Sequence, residues 1–161
     1  MPVLDDVYLG NPLLKKANVK QEFTQEQILE FMACKADPVY FAKQHVKIVS
    51  LDEGLVPFQP YDFQEQLIRN FHENRFNICK MPRQTGKSTT SVAYLLHYAV
   101  FNDNVNIGIL ANKAATARDL LGRLQTAYEN LPKWMQQGII SWNKGSLELE
   151  NGSRILAAST S

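Results

Sequence analysis

The pattern of apolar and polar positions predicts five helices along the chain, with short extended runs between them. Ile28, Leu29, Phe31 and Met32 follow Thr24 and Gln27, a Thr-x-x-Gln capping box, and predict a helix from about residue 24 to 36. Asp37 as N-cap and Pro38 at the first helical position start a second helix that runs to about His45. A third begins at Pro60, with Phe63, Leu67, Ile68 and Phe71 at helical spacing. Lys87 to Phe101, rich in Tyr, Leu and Val and closed by the polar Asn102 to Asn104, predicts a fourth. Residues 113–130, with Leu120, Leu121, Leu124 and Tyr128 facing inward, predict a fifth.

The intervening runs have the period and composition of strands. Val46 to Ser50 alternates, Asp52-Glu53-Gly54 turns, and Leu55 to Phe58 is a second extended piece. Phe76 to Cys79 predicts a buried strand ahead of the fourth helix, and Ile107 to Ala111 a buried strand ahead of the fifth. Pro132, Gly138 and Trp142 to Gly145 read as loop. Leu147 to Glu150 and Arg154 to Ala157 flank Asn151-Gly152, a strong signal for a type I′ hairpin. Strand, helix, strand, helix over residues 76–130 predicts a right-handed parallel α/β unit, to which the hairpin is an addition. Residues 1–22 show little periodicity and read as an N-terminal arm. Residues 23–58 form a mainly helical lead-in, and residues 59–161 the α/β core.

Composition narrows the class. The 161 residues suit one domain, and 45% apolar with 20% charged residues excludes disordered, collagen-like and coiled-coil chains. Seventeen basic against sixteen acidic residues leave a formal charge of +1, far from a dedicated nucleic-acid clamp. The balance is modestly uneven: residues 1–80 hold nine basic and eleven acidic groups, residues 81–161 eight and five. No run approaches a membrane span, and the acidic opening MPVLDDVYLG is no signal peptide, so a soluble, non-secreted protein is expected. Cys34 and Cys79 lie in apolar segments and read as small hydrophobes, not as a disulfide or zinc ligands. His45, His72 and His97 share no ligand spacing, so no metal role is assigned to them. Trp134 and Trp142 read as core packing, and Asn151-Gly152-Ser153 as a turn.

The sharpest chemical signal is Met81-Pro82-Arg83-Gln84-Thr85-Gly86-Lys87-Ser88-Thr89, set between the predicted strand 76–79 and the fourth helix. A strand-loop-helix of this kind points backbone N–H groups into one concavity over a helix N-terminus, which favours phosphate. Gly86 allows close backbone approach, Lys87 reaches the β- and γ-phosphates, and the Ser88 hydroxyl holds Mg²⁺. The pattern GxxxxGK[ST] would start with glycine at position 81, where this chain has Met81. Arg83 suits a guanidinium acting on the γ-phosphate. Upstream, the amides of Gln59 and Gln64 match the N6 and N7 edge of adenine.

Together these residues resemble the large terminase subunit of T-even-like tailed phages. The resemblance runs through Asn11 to Asn18, Gln59 and Gln64, Cys79 to Thr89, Gly108 to Lys113, Trp142 to Ser146 and Asn151-Gly152-Ser153. It implies a P-loop NTPase (RecA/ASCE-like) parallel sheet with flanking helices, and ATP and Mg²⁺ as cofactors. Gln59 and Gln64 then fall in the adenine motif, and Arg83 to Ser88 in the Walker A loop, whose first glycine this family commonly lacks, with Thr89 a further nucleotide-binding candidate. The implied role is a motor that drives double-stranded DNA into the prohead as a ring on the portal. Its expected partners are the portal protein and the small terminase subunit, in the host cytoplasm and at the portal vertex. The family's Walker B acids, coupling motif and RNase H-like nuclease are expected beyond Ser161, so this stretch alone is expected to hydrolyse ATP at or near background. Other readings are a superfamily 2 helicase fragment, a small-molecule P-loop kinase, which leaves the two glutamines unexplained, and a non-catalytic nucleotide-binding or interaction module.

Overall fold

A computed structural model of the chain describes residues 6–83 and 85–160. In chain order these residues form β1 (Val7–Tyr8), β2 (Asn11–Lys15), α1 (Gln25–Ala36), α2 (Pro38–His45), β3 (Lys47–Ser50), β4 (Gly54–Pro57) and α3 (Asp62–Glu73). They continue with α4 (Lys87–Phe101), β5 (Asn106–Ala111), α5 (Ala114–Glu129), β6 (Ile139–Trp142), β7 (Ser146–Leu149) and β8 (Arg154–Ser159). The architecture is α/β with mixed sheets.

Local capping chemistry sets the helix starts. Thr24 Oγ1 accepts from Gln27 N at 3.1 Å and Gln27 Oε1 accepts from Thr24 N at 3.0 Å, the reciprocal box that opens α1. Asp37 Oδ1 accepts from Val39 N and Tyr40 N, with Pro38 in the first turn of α2.

The largest sheet runs β5-β8-β7-β6. β5 and β8 are parallel, with Ile107 opposite Ile155 and Ile109 opposite Ala157, whereas β7 is antiparallel to both β8 and β6. One face carries the core: Ile107, Ile109, Leu147, Leu149 and Ile155 join Val92, Leu96 and Val100 of α4 and Leu121, Leu124 and Tyr128 of α5. Alternation along the strands turns Leu110 and Leu156 away from that core, and both are exposed.

Four elements depart from the sequence expectation. Phe76–Cys79 is not a strand: it pairs with nothing among the described residues, and Phe76 and Ile78 are 82% and 99% exposed. An apolar run supplies side chains for a strand, but the ladder needs a second backbone, and among the described residues β5 is paired with β8 alone. The β7–β8 connection is not a two-residue type I′ turn, which needs positive φ at both central residues. Only Gly152 is left-handed there (φ 84°). Gly152 N donates to Leu149 O at 3.0 Å and Leu149 N to Ser153 O at 2.9 Å, a three-residue hairpin loop ending in a glycine bulge. Asn151 serves the neighbouring helix, its Nδ2 donating to Ala99 O, Val100 O and Asn102 O at the end of α4.

Residues 139–142, of which the sequence expectation names only Trp142, as loop, form β6 because β7 is there to pair with it. The arm before residue 22 contains the β1–β2 hairpin. Its Leu14 is buried, and Gln136 clamps it, accepting from Lys15 N at 3.0 Å and donating to Leu13 O at 2.9 Å.

Candidate functional site

The loop ahead of α4 is shaped by contacts from both sides. Thr85 Oγ1 donates to Pro82 O at 2.9 Å, folding the loop on itself. Gly86 caps α4 at φ 75° and ψ 19°, a left-handed conformation that glycine reaches without steric cost. Its carbonyl accepts from Thr90 N at 2.9 Å and from Thr90 Oγ1 at 2.7 Å, and Ser91 Oγ donates to Lys87 O at 2.8 Å. The cap residue offers no side chain to the first amides of α4 and its first turn holds no acid, so the positive end of the helix dipole has no counter-charge from its own turn.

Gln64 holds this loop from α3. It is 5% exposed, and both ends of its amide are engaged: Oε1 accepts from Tyr61 N at 2.9 Å and Nε2 donates to Thr85 O at 3.4 Å. A Cβ at position 86 would collide with Gln64 Nε2 and displace that buried amide, in addition to straining the left-handed backbone. The exposed Gln59 stands just ahead of α3. With Tyr61, Gln64, Gly86 and Thr89 it lines a cavity of about 510 Å³, whose far wall is Ile48, Val56 and Phe58 from β3, β4 and the residue that follows.

Lys87 and Ser88 border a different cavity. About 200 Å³ in volume, it is lined by them with Cys79, Ser91, Ile109 and Leu120 among others, and no carboxylate faces it among the described residues. Arg83 is exposed, lines neither cavity and makes no ion pair among the described residues. Gln84 lies outside the described residues. The structure thus gathers Gln59, Gln64, Gly86 and Thr89 around one cavity, sets Lys87 and Ser88 at another, and leaves Arg83 apart.

Sequence reasoning missed Tyr61, Thr90 and the β3–β4 wall. A threonine four residues after the loop glycine is the one usable signal, since such hydroxyls return to the i−4 carbonyl. Nothing in the alternation of β3 and β4 tells where that hairpin docks.

α4 is anchored at its centre by His97, whose Nε2 donates to Cys34 O of α1 at 2.9 Å. Burial pulls the His97 pKa down to about 4, the neighbouring His72 pushes the same way, and the backbone hydrogen bonds and Asp37 oppose them. A neutral, buried imidazole therefore fixes α4, and with it the loop, against the helical lead-in.

A family model described as terminase large subunit, T4likevirus-type, N-terminal, matches residues 78–161, just over half of the chain. The chain belongs to this terminase family. The match takes in the loop Met81–Gly86, α4, β5, α5 and the β6–β8 strands, whereas Gln59 and Gln64 precede it. Membership supports a role in phage DNA packaging. Terminase large subunits are in general ATPases and nucleases that work with DNA and a packaging complex. Among the described residues no helix is long and apolar enough to cross a membrane.

Proposed function

We propose that this terminase chain binds ATP with Mg²⁺ as the nucleotide-binding part of a motor that packages double-stranded DNA. The observation that carries this reading is the fastening of Gln64 to Thr85 and Gly86 directly ahead of the α4 N-terminus. It holds a glycine-capped, acid-free helix start in place for a phosphate. Lys87 reaches the β- and γ-phosphates, Arg83 acts on the γ-phosphate, and the loop residues Gln84 and Thr85 with Thr89 complete the cradle. Ser88 holds Mg²⁺, which when bound neutralises charge on the phosphate oxygens. The two glutamines divide the work: the exposed amide of Gln59 reads the adenine edge, while Gln64, its amide already engaged, positions the loop.

The full P-loop sheet belongs to the same proposal. Ile107–Ala111 is apolar throughout, as in parallel strands covered on both faces, yet Leu110 is exposed. A further strand in the 200 Å³ cavity, which Cys79 and Ile109 both line, would give Phe76–Cys79 the backbone partner it lacks. The portal protein, the small terminase subunit and further copies in a ring are the proposed partners, in the host cytoplasm and at the portal vertex. The cutting of concatemeric DNA belongs to the family's nuclease and is assigned to no residue described here.

The adenine reading is tested by competition between ATP and GTP for a bound fluorescent nucleotide. ATP is expected to bind about tenfold more tightly, the worth of one or two hydrogen bonds, and Gln59→Ala to erase the preference. Equal affinity for both nucleotides in the unaltered chain overturns the assignment of Gln59.

A further inference from the structure

Three side chains of different chemistry converge where α1 meets the end of α2. Glu30 and Cys34 stand one turn apart on one face of α1, and His45 is the last residue of α2. Glu30 Oε1 lies 2.8 Å from His45 Nε2 and 3.7 Å from Cys34 Sγ, and the three atoms all lie within 4.8 Å of one another. A tetrahedral ion with metal–sulfur bonds of about 2.3 Å and metal–nitrogen or metal–oxygen bonds of about 2.0–2.2 Å sets its ligand atoms about 3.3–3.8 Å apart. The Glu30–Cys34 separation falls within that range, and the Glu30–His45 pair, now at hydrogen-bond distance, opens by about half an ångström to admit the ion. Tyr40 Oη donates to Glu30 Oε2 at 2.8 Å, the kind of outer partner that orients a ligating carboxylate.

We propose that Glu30, Cys34 and His45 form a site for a thiophilic divalent cation, with Zn²⁺ the best match to a thiolate, imidazole and carboxylate set. Spacing along the chain hides it, because the third ligand comes from the next helix. Without the ion, burial and the Glu30 carboxylate push the Cys34 thiol up to about 12, so the sulfur keeps its proton. Binding exchanges that proton for the cation: the S–H bond breaks, the S–metal bond forms, and the proton leaves to buffer. The ion would clamp α1 to α2 beside the Cys34 carbonyl that holds His97 of α4. Its ligand class separates it from the Mg²⁺ assigned to Ser88.

The test is a titration of the 161-residue chain with Co²⁺ in the absence of nucleotide. The expected result is one ion per chain, an intense near-ultraviolet thiolate-to-cobalt band that Zn²⁺ displaces, and release of about one proton per ion. Cys34→Ser abolishes the band and His45→Gln weakens Co²⁺ binding by about tenfold or more, while Cys79→Ser leaves both unchanged. Far-ultraviolet circular dichroism checks that each variant folds. Should Cys34→Ser fail to fold, the partly exposed His45 decides the matter through His45→Gln. No band at saturating Co²⁺, a band that survives in Cys34→Ser, unweakened binding in His45→Gln, or a band lost with Cys79→Ser overturns the proposal and leaves a hydrogen-bond cluster only.

Discussion

Gln64 Nε2 occupies the space that a Cβ on residue 86 would need, so a side chain at that position has to push the buried glutamine amide aside. The same nitrogen donates to Thr85 O, which makes the glutamine a brace for the loop. Gly86→Ala meets two penalties, the left-handed backbone, at about 1–2 kcal/mol, and the collision. The variant is expected to lose about 2 kcal/mol or more in urea denaturation, and to lose less when Gln64→Ala is also present. Equal losses in both backgrounds would show that the contact carries no energy.

The end of α4 depends on Asn151, whose amide donates to three carbonyls at 2.9–3.4 Å. Asn151→Ala leaves those carbonyls without this donor and is expected to cost about 1–3 kcal/mol, read as a fall in melting temperature. A change within about 0.5 kcal/mol would mean that water replaces the amide without loss.

His97 gives the fold a pH dependence with a definite sign. Its folded pKa, about 4, lies below the ordinary histidine value of 6.5, so the unfolded chain takes up the proton first. The stability is present in full above pH 6.5 and is lost as pH falls toward 4, by up to about 3 kcal/mol. Denaturation series across that window are expected to show a steeper decline for the unaltered chain than for His97→Phe. Parallel curves would contradict the neutral, buried assignment.

Exposure of Ile78 makes the opposite kind of prediction. With the side chain 99% exposed, Ile78→Asp should change the stability of this chain by less than about 0.5 kcal/mol. A loss of several kcal/mol would show that Phe76–Cys79 is packed as a strand in solution.

What was legible in the sequence follows the range of the forces involved. The Thr24–Gln27 box, the Asp37-Pro38 start and the periodic faces of α4 and α5 are local, and the structure has them in place. Pairing is not local. Phe76–Cys79 has the composition of a buried strand and lacks the partner among the described residues, whereas Ile139–Trp142, of which only Trp142 is read at all, as loop, becomes β6 because β7 runs beside it. Asn151-Gly152 misled in its turn type because Asn151 is recruited by the end of α4, a contact that no two-residue signal contains. Around the candidate site the loop sequence and the glutamine pair stand out at once. That Gln64 points inward at Gly86 while Gln59 stays exposed does not, because the two side chains have the same chemistry and only packing distinguishes them.

The central claim, that the loop ahead of α4 holds a nucleotide phosphate through Lys87, is tested most directly by calorimetric titration of ATP and Mg²⁺ into the chain and into Lys87→Ala. Loss of one charge-assisted phosphate contact predicts a penalty of about 2 kcal/mol or more, a dissociation constant raised at least about thirtyfold. Both proteins should show turnover near background, since no carboxylate faces the cavity beside Lys87 among the described residues. Equal ATP affinity in the two proteins, or turnover that Lys87→Ala abolishes, would contradict the account.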